Sequence, residues 1–246
     1  MRTKFFAVIA AAGLIGMSAA VLAEGVEREL AQLAVSAEQH EPFRDISPDC
    51  DIPTTSGQTE DPEPRPMSLS SSGCQLNVEP VLQNPDLPTG CEVTALTAVL
   101  RYYGFDADKI VLFDTCMPQA EMYETTFYQA FVGDPRTPWG YGCFAPAVAE
   151  TANRYFGQNG IDMTAHDISG AEFTDLFEYI RSGDPVIVWI SMELRDISWE
   201  CLWTAPDGSE AWFPSGEHCV VLTGFDEDSG LISTADPMNG SAVYPL

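Results

Sequence analysis

The order of the predicted elements indicates an α+β domain, in which helices come first and a mainly antiparallel sheet comes last. Two observations carry this prediction. Apolar residues recur at helical spacing in the stretch that begins at Cys91, whereas the continuous apolar run over 185–191 is typical of a buried strand. The segments 218–225 and 231–235 are then typical of two strands joined by the turn 226–230.

The first predicted helix has marked ends. Thr89 and Glu92 form the Ser/Thr-x-x-Glu pattern of a capping box, and Gly104 suits the left-handed position that ends a helix. The other predicted elements are a strand over 77–82, a long irregular loop over 113–142, a helix that begins near Pro146 and is closed by Gly157, and a helix over 173–180 that is closed by Gly183.

Cys91 falls in the first turn of that helix, where unpaired backbone N–H groups and the helix dipole favour negative charge. A free thiol has a pKa of about 8.5, and a helix N-terminus is one of the places where this pKa falls. We therefore expect Cys91 to be a nucleophile that reacts rapidly with iodoacetamide near neutral pH. The alternative from these residues alone is a small buried cysteine or a disulfide partner.

The charge of the chain limits its partners. The 246 residues carry a net charge of −26, from 37 acidic and 11 basic side chains. Nucleic acids and anionic membrane surfaces would both repel such a chain, so we expect neither as a partner.

The N-terminus has the pattern of a secretory signal peptide over 1–23. Arg2 and Lys4 precede an apolar run over 5–22, and small residues stand before a predicted cut between Ala23 and Glu24. The alternative is an uncleaved membrane anchor. No second long apolar run follows, so we expect no membrane span after cleavage and a secreted or cell-wall-associated protein.

Residues 24–75 are predicted to be an acidic spacer rich in proline and serine, because their composition cannot bury enough apolar surface to fold alone. This segment suits either a linker or a pro-segment. The folded domain is predicted to occupy 76–246.

The hairpin near the C-terminus places a histidine beside a carboxylate. If Phe225 pairs with Leu231, then His218 and Asp236 are diagonal neighbours on one face of the sheet. A histidine held by a carboxylate is the base and its orienting group in a nucleophilic triad. The alternative is a hydrogen-bonded histidine at a strand end.

Two further observations bear on this assignment. The other histidines are His40, in the spacer, and His166, in a predicted polar turn, so His218 is the best placed to serve Cys91. Gln83 precedes Cys91 by eight residues, and its amide could reach the same point as the Cys91 backbone N–H. Such a donor would stabilise an oxyanion, although an ordinary polar loop residue is the alternative.

These residues resemble a family. Gln83, LPTGCEVTALTAVLRYYGF, GDPVIVW, HCVVLTGFD and ADPMNG, together with the loop segment FVGDPRTPWGYGCFAPAVAETANRYF, resemble the secreted branch of the bacteriocin-processing cysteine peptidases, over roughly 77–240. The resemblance implies a papain-like fold, with Cys91 as nucleophile, His218 as base, Asp236 as its orienting group and Gln83 in the oxyanion hole.

The chain departs from the best-known members of that family, which are transporter domains that cut leader peptides after a Gly-Gly pair. It is predicted to be exported and has no transporter segment, so the Gly-Gly specificity is not carried over. The six residues after Gly240 are also few for the last strand of such a fold.

The cysteine count agrees with a free nucleophile. Seven cysteines in an exported protein leave at least one thiol unpaired, which we assign to Cys91. The predicted pairs are Cys116 with Cys143, Cys50 with Cys74, and Cys201 with Cys219. No Cys-x-x-Cys or His-x-x-x-His spacing occurs, so we expect no zinc site.

Together these observations predict an exported, monomeric, bacterial cysteine peptidase that hydrolyses peptide or protein substrates through a thioacyl intermediate, without cofactor or metal. One alternative is a cell-wall amidase or endopeptidase of related fold, which acts on peptidoglycan. The other is a binding domain that has kept the fold and lost activity.

Overall fold

The computed structural model describes the backbone of Lys4–Val8 and the whole of residues 72–246. Most of the predicted signal peptide and nearly all of the predicted spacer lie outside the described residues. The predicted pair of Cys50 with Cys74 also falls partly outside them.

The folded part is organised around the helix that begins at Cys91. Helix α1 (Cys91–Tyr102) is buried along its first ten residues, so it lies inside the domain and is covered on every side. Gly104 follows it with a φ of 86°, as the sequence predicts. The other helices are α2 (Lys109–Thr115), α3 (Ala145–Asn159) and α4 (Leu176–Arg181), with 3₁₀ turns at Phe173–Asp175 and Met192–Leu194.

A mixed sheet packs against this helix. Its described strands are β1 (Lys4–Val8), β2 (Gly73–Gln75), β5 (Met163–Asp167), β6 (Val186–Ser191), β9 (Glu217–Asp226), β10 (Leu231–Asp236) and β11 (Gly240–Pro245). The order is β11-β10-β9-β6-β1-β5, with β2 on β9. β1 runs parallel to β5 and β6, whereas the remaining pairs are antiparallel.

The two faces of the sheet bury two apolar clusters. Cys219 and Val221 face the cluster that contains α1 and α3. Val220 and Leu222 face a second, smaller cluster that is closed by α4. β9 is therefore buried on both faces, which accounts for its unbroken apolar sequence.

Several sequence-based predictions of elements are confirmed and several are wrong. The buried strand and the helix closed by Gly183 are present. Helix α3, however, runs through Gly157 and ends at Gly160, whose φ of 63° is left-handed. No strand forms over 77–82; the first strand of the described domain is β2 instead. His166 lies in β5 and not in a turn.

The predicted long loop also differs from the structure. Its first residues belong to α2, which Asp108 caps by accepting hydrogen bonds from two backbone N–H groups. Short strands β3 (Gln119–Ala120) and β4 (Phe131–Val132) follow, and three phenylalanines of the segment are fully buried: Phe113, Phe127 and Phe131. The segment is therefore part of the core, because its aromatic rings pack on one another.

Two more features complete the described part. β7 (Trp199–Thr204) and β8 (Glu210–Pro214) form a separate two-stranded ribbon. The residues after Gly240 do form the last strand, β11, which corrects the expectation that they are too few. In the described part of the chain, no helix combines the length and the apolar character that a membrane crossing requires.

Candidate active site

Cys91 is the first residue of α1, but the helix is not capped as the sequence predicts. Gly90 is the N-cap and offers no side chain. The Thr89 hydroxyl donates to the backbone oxygen of Thr137, 3.0 Å away, in the neighbouring loop. Glu92 turns inward, where its Oε1 accepts the backbone N–H of Cys143 at 2.8 Å. Both members of the expected capping box therefore bind a loop instead of the helix end.

The surroundings of the Cys91 thiol overturn the expectation of a lowered pKa. Burial, followed by the nearby Glu92 and Glu217 carboxyl groups, raises the pKa of Cys91, although the backbone N–H of Cys219 opposes the shift. The thiol donates to Glu92 Oε2, 3.4 Å away. Because Cys91 is only 7% exposed, rapid alkylation of the resting protein at neutral pH is no longer expected.

His218 and Asp236 meet as the sequence predicts. His218 Nε2 lies 2.7 Å from Asp236 Oδ1, and both residues are buried. The contact leaves Nδ1 as the ring nitrogen that can accept a proton. An imidazole oriented by a carboxylate in this way is suited to act as a general base.

The hairpin reaches this arrangement by a different register. Leu231 pairs with Asp226, one residue away from the predicted partner, so the turn is shorter than expected. An irregularity between Ser233 and Thr234 then restores the predicted register. The two deviations cancel before Asp236. His218 and Asp236 therefore lie on one face of the sheet, as predicted.

Asp236 is held as an ionised carboxylate. Burial alone would raise its pKa, but hydrogen bonds from His218, from the Asn239 amide at 2.9 Å and from the Met238 backbone N–H at 2.7 Å hold the pKa of Asp236 below its usual range. Tyr244 donates a longer hydrogen bond of 3.4 Å. An ionised Asp236 can therefore stabilise a protonated His218.

The structure does not join the Cys91 and His218 side chains, because His218 is on the β9 face of Val220, whereas Cys219 faces the cluster that contains α1. Cys219, whose backbone N–H approaches the Cys91 sulfur, is the residue after His218. Within residues 72–246, the Cys91 thiol donates a hydrogen bond to Glu92 and none to the His218 ring. His218 is the candidate base through its contact with Asp236, and its approach to the Cys91 thiol belongs to the proposal below.

Gln83 links the two halves of the candidate site. Its Nε2 donates to the backbone oxygen of Pro88 at 2.6 Å, just before Cys91. Its backbone N–H donates to Pro237, next to Asp236, at 2.8 Å. Its Oε1 is buried and has no hydrogen-bond partner in the described chain. Since a side-chain amide has two N–H groups, one remains for an oxyanion.

Sequence reasoning missed Lys109, which anchors the Gln83 segment. Its ammonium donates to the backbone oxygens of Leu82 and Gln83 at 2.6 and 2.9 Å, and pairs with Asp86 at 3.0 Å. Lys109 is nearly buried. Composition is the one sequence feature that could have pointed to Lys109, because Lys4 and Lys109 are the two lysines of the whole chain.

We expect Lys109→Met to lower kcat by about 10- to 100-fold with little change in KM, because small displacements of a catalytic group carry costs of that size. Kinetics on a cleaved peptide, with thermal melts, provide the measurement. Arg154→Met is the matched control, since Arg154 forms an exposed ion pair with Glu150. Unchanged kcat in a folded Lys109→Met protein would contradict the anchoring role.

The cysteines do not pair as expected. Cys116, Cys143, Cys201 and Cys219 are free thiols, so the predicted pairs Cys116 with Cys143 and Cys201 with Cys219 are wrong. Cys201 lies on the β7–β8 ribbon, whereas Cys219 is buried in the main sheet. The Cys116 thiol donates a hydrogen bond to Gln158 Oε1 at 3.5 Å. Burial raises the pKa of the Cys143 thiol.

One set of side chains in the described chain has the spacing of metal ligands. Cys91 Sγ and carboxylate oxygens of Glu92 and Glu217 lie within 4.8 Å of one another. Sequence patterns do not indicate this set, because Glu217 is far from the other two in the chain and shows no ligand motif.

The fold is similar to that of a solved structure. The structure is similar to a crystal structure described as a C39-like peptidase from Bacillus anthracis, with a TM-score of 0.61 and 24% identity, covering 70% of this chain and 88% of that one. The chain is 29% identical over 147 residues to YvpB of Bacillus subtilis strain 168, described as uncharacterized. That match covers 58% of this chain and 56% of YvpB, so the chain spans little more than half of that relative.

The family assignment comes from a longer match. Residues 75–245 match the sequence model of the family described as Peptidase_C39 like. This range covers well over half of the 246 residues and includes Gln83, Cys91, His218 and Asp236. The chain therefore belongs to the Peptidase_C39 like family.

Proposed function

We propose that this protein is an exported cysteine peptidase that hydrolyses peptide bonds through a thioacyl intermediate on Cys91. The observation that carries the proposal is the 2.7 Å contact between His218 Nε2 and Asp236 Oδ1. It leaves Nδ1 to serve a thiol that stands at a helix N-terminus, beside the residue after His218. Family membership agrees with this chemistry.

In the acylation step, His218 Nδ1 takes the proton from the Cys91 thiol while the sulfur attacks the carbonyl carbon of the substrate. A carbon–sulfur bond forms, and the carbonyl oxygen becomes an oxyanion. The Cys91 backbone N–H and the free N–H of the Gln83 amide stabilise that oxyanion. The imidazolium, stabilised by Asp236, then gives its proton to the amine that leaves.

In the deacylation step, a water molecule gives a proton to His218 and its oxygen attacks the thioester carbon. The carbon–sulfur bond breaks, the proton returns to the sulfur and the acid product leaves. The raised pKa of Cys91 means that the proton must be removed during attack, since no stable thiolate exists beforehand. The thiol must also release Glu92, its partner at 3.4 Å.

A test of substrate class separates the peptidase from a wall-degrading enzyme. We expect casein to be cleaved and purified peptidoglycan to remain intact, with Cys91→Ala inactive on both. The strongly acidic chain favours this outcome, because Gram-positive cell walls are themselves anionic. Release of peptidoglycan fragments alone would favour the amidase, and activity on neither would favour a binding domain.

Export is proposed from the N-terminal sequence, and it has a structural consequence. Lys4–Val8, within the predicted signal peptide, forms β1 between β5 and β6. Cleavage after Ala23 would remove this strand from the mature sheet, so the strand and the cleaved terminus cannot coexist in one molecule.

We expect the protein recovered from the medium of an expressing Gram-positive host to begin at Glu24, because the preceding residues have the pattern of a signal peptide. Intact mass and N-terminal sequencing provide the measurement. An active secreted protein that still begins at Met1 would contradict cleavage and would agree with β1 as a permanent strand.

A further inference from the structure

A cluster of three ligand-type side chains lies at the start of α1. Cys91 and Glu92 are the first two residues of that helix, and Glu217 is the first residue of β9. Cys91 Sγ and carboxylate oxygens of both glutamates lie within 4.8 Å of one another. Glu92 is completely buried, and Cys91 is nearly so.

The cluster lacks compensating positive charge. Neither glutamate takes part in an ion pair within residues 72–246. Glu92 receives one backbone N–H from Cys143, but Glu217 Oε1 is shut off from solvent without any hydrogen-bond partner in the described chain. A buried acceptor without a partner costs free energy, so this oxygen indicates a missing donor or cation.

We propose that Cys91, Glu92 and Glu217 bind a zinc-type divalent cation that reversibly blocks the nucleophile. Thiolate and carboxylate are zinc ligands, at about 2.3 Å and about 2.0–2.2 Å from the metal. Cys91 Sγ and Glu92 Oε2 are already 3.4 Å apart, close to the separation of two ligands on one tetrahedral ion. Three protein ligands leave the fourth position to water.

Binding exchanges protons for metal. The Cys91 S–H bond breaks, its proton leaves to solvent and a sulfur–zinc bond forms. Any proton on the two carboxyl groups leaves in the same way as each oxygen coordinates the ion. The site then holds three anionic ligands around a dication, which offsets two of their three negative charges.

The inhibitory effect rests on the proposed function, because it assumes that Cys91 is the nucleophile. The binding itself does not. A sulfur bound to zinc has its lone pair engaged and its path to a substrate carbonyl occupied. Peptidase activity should therefore require free metal to be scarce and should recover when a chelator is added.

The experiment uses Co²⁺ as a spectroscopic stand-in for zinc on the full chain. Titration of metal-free protein, reduced and without substrate, should produce a thiolate-to-cobalt charge-transfer band that saturates at one metal per chain. Zn²⁺ should displace the Co²⁺ and remove the band. Cys91→Ser should lose the band, and Glu217→Gln should weaken metal affinity by about 10-fold or more.

Cys201→Ser is the matched control, because Cys201 is a free thiol on the β7–β8 ribbon outside the cluster. It should keep the band and the affinity of the wild type. A band that persists in Cys91→Ser, a band that depends on Cys201, or no band at all would overturn the proposal. Circular dichroism melts check that each variant is folded.

A second measurement needs no variant. Zn²⁺ should protect Cys91 from slow alkylation at raised pH, as shown by mass mapping of the modified cysteines, while Cys201 remains equally reactive. Equal modification of Cys91 with and without Zn²⁺ would refute the site. The two proposals can be tested separately. A protein that binds Co²⁺ but cleaves no peptide would support the metal site and contradict the proposed peptidase function.

Discussion

Replacing His218 with alanine should lower kcat/KM for peptide hydrolysis by about four orders of magnitude or more. The expected loss is large because the pKa of Cys91 is raised, so the thiol cannot ionise without a base. His166 lies on the edge strand β5, with β1 and β6 between it and β9, so it is not placed to replace His218. Kinetics on a cleaved peptide provide the measurement.

The comparison variant is Asp236→Asn, which should lose less activity than His218→Ala. The amide oxygen can still accept a hydrogen bond from His218 Nε2, but it no longer stabilises the imidazolium and can select the wrong tautomer. Wild-type turnover in a folded His218→Ala protein would contradict the assignment.

Stability has to be measured beside activity in both variants. His218 and Asp236 are both buried, and Asp236 is completely so. Removing the imidazole leaves a buried carboxylate short of one donor, which costs about 1–3 kcal/mol of unfolding free energy. Circular dichroism melts separate this loss from the catalytic one.

Gln83→Ala should lower kcat by about 10²- to 10³-fold and leave KM nearly unchanged, because an oxyanion donor acts in the transition state and not in substrate binding. Gln83→Glu should not restore activity, since a carboxylate offers no donor and repels the oxyanion. The same kinetic assay, with melts, measures both variants.

Gln75→Ala is the matched control for Gln83→Ala. Gln75 also carries a side-chain amide that donates to a backbone oxygen, at Leu76, but it lies on β2 and is exposed. Its loss should leave kcat near the wild-type value. Equal effects at Gln75 and Gln83, or a Gln83 effect confined to KM, would mean that the amide only supports the fold.

The sequence predicted the elements that depend on apolar periodicity. Helix α1 and strands β6 and β9 are buried along most of their length, and such burial leaves apolar repeats and continuous apolar runs in the sequence. The pairing of His218 with Asp236 followed from that pattern, although it was reached through a register error that a bulge corrects.

The sequence could not predict how charged groups are buried. Glu92 fits the capping-box pattern, but the same carboxylate reaches the Cys143 N–H of a distant loop, a choice that only tertiary packing decides. The roles of Lys109 and Glu217 likewise depend on contacts with residues far away in the chain. Burial raises the pKa of Glu92 to about 7, a shift that no local motif signals.

The short elements were missed for a related reason. The β7–β8 ribbon is partly exposed and mixes tryptophan with charged residues, so its pattern is not that of a buried strand. β2 has three residues and is defined by its partner β9. Elements of this kind form where a neighbouring strand offers hydrogen-bonding groups, and a single sequence does not show the neighbour.

The proposed mechanism requires Cys91 to be the nucleophile. The deciding measurement is mass mapping of the covalent adduct after an electrophilic peptide inhibitor, built on a cleaved peptide, has inactivated the chelator-treated enzyme. We predict one adduct per chain, on Cys91, formed in step with the loss of activity and nearly absent in His218→Ala. Inactivation with Cys91 unmodified, or full activity in Cys91→Ala, would contradict this role of Cys91.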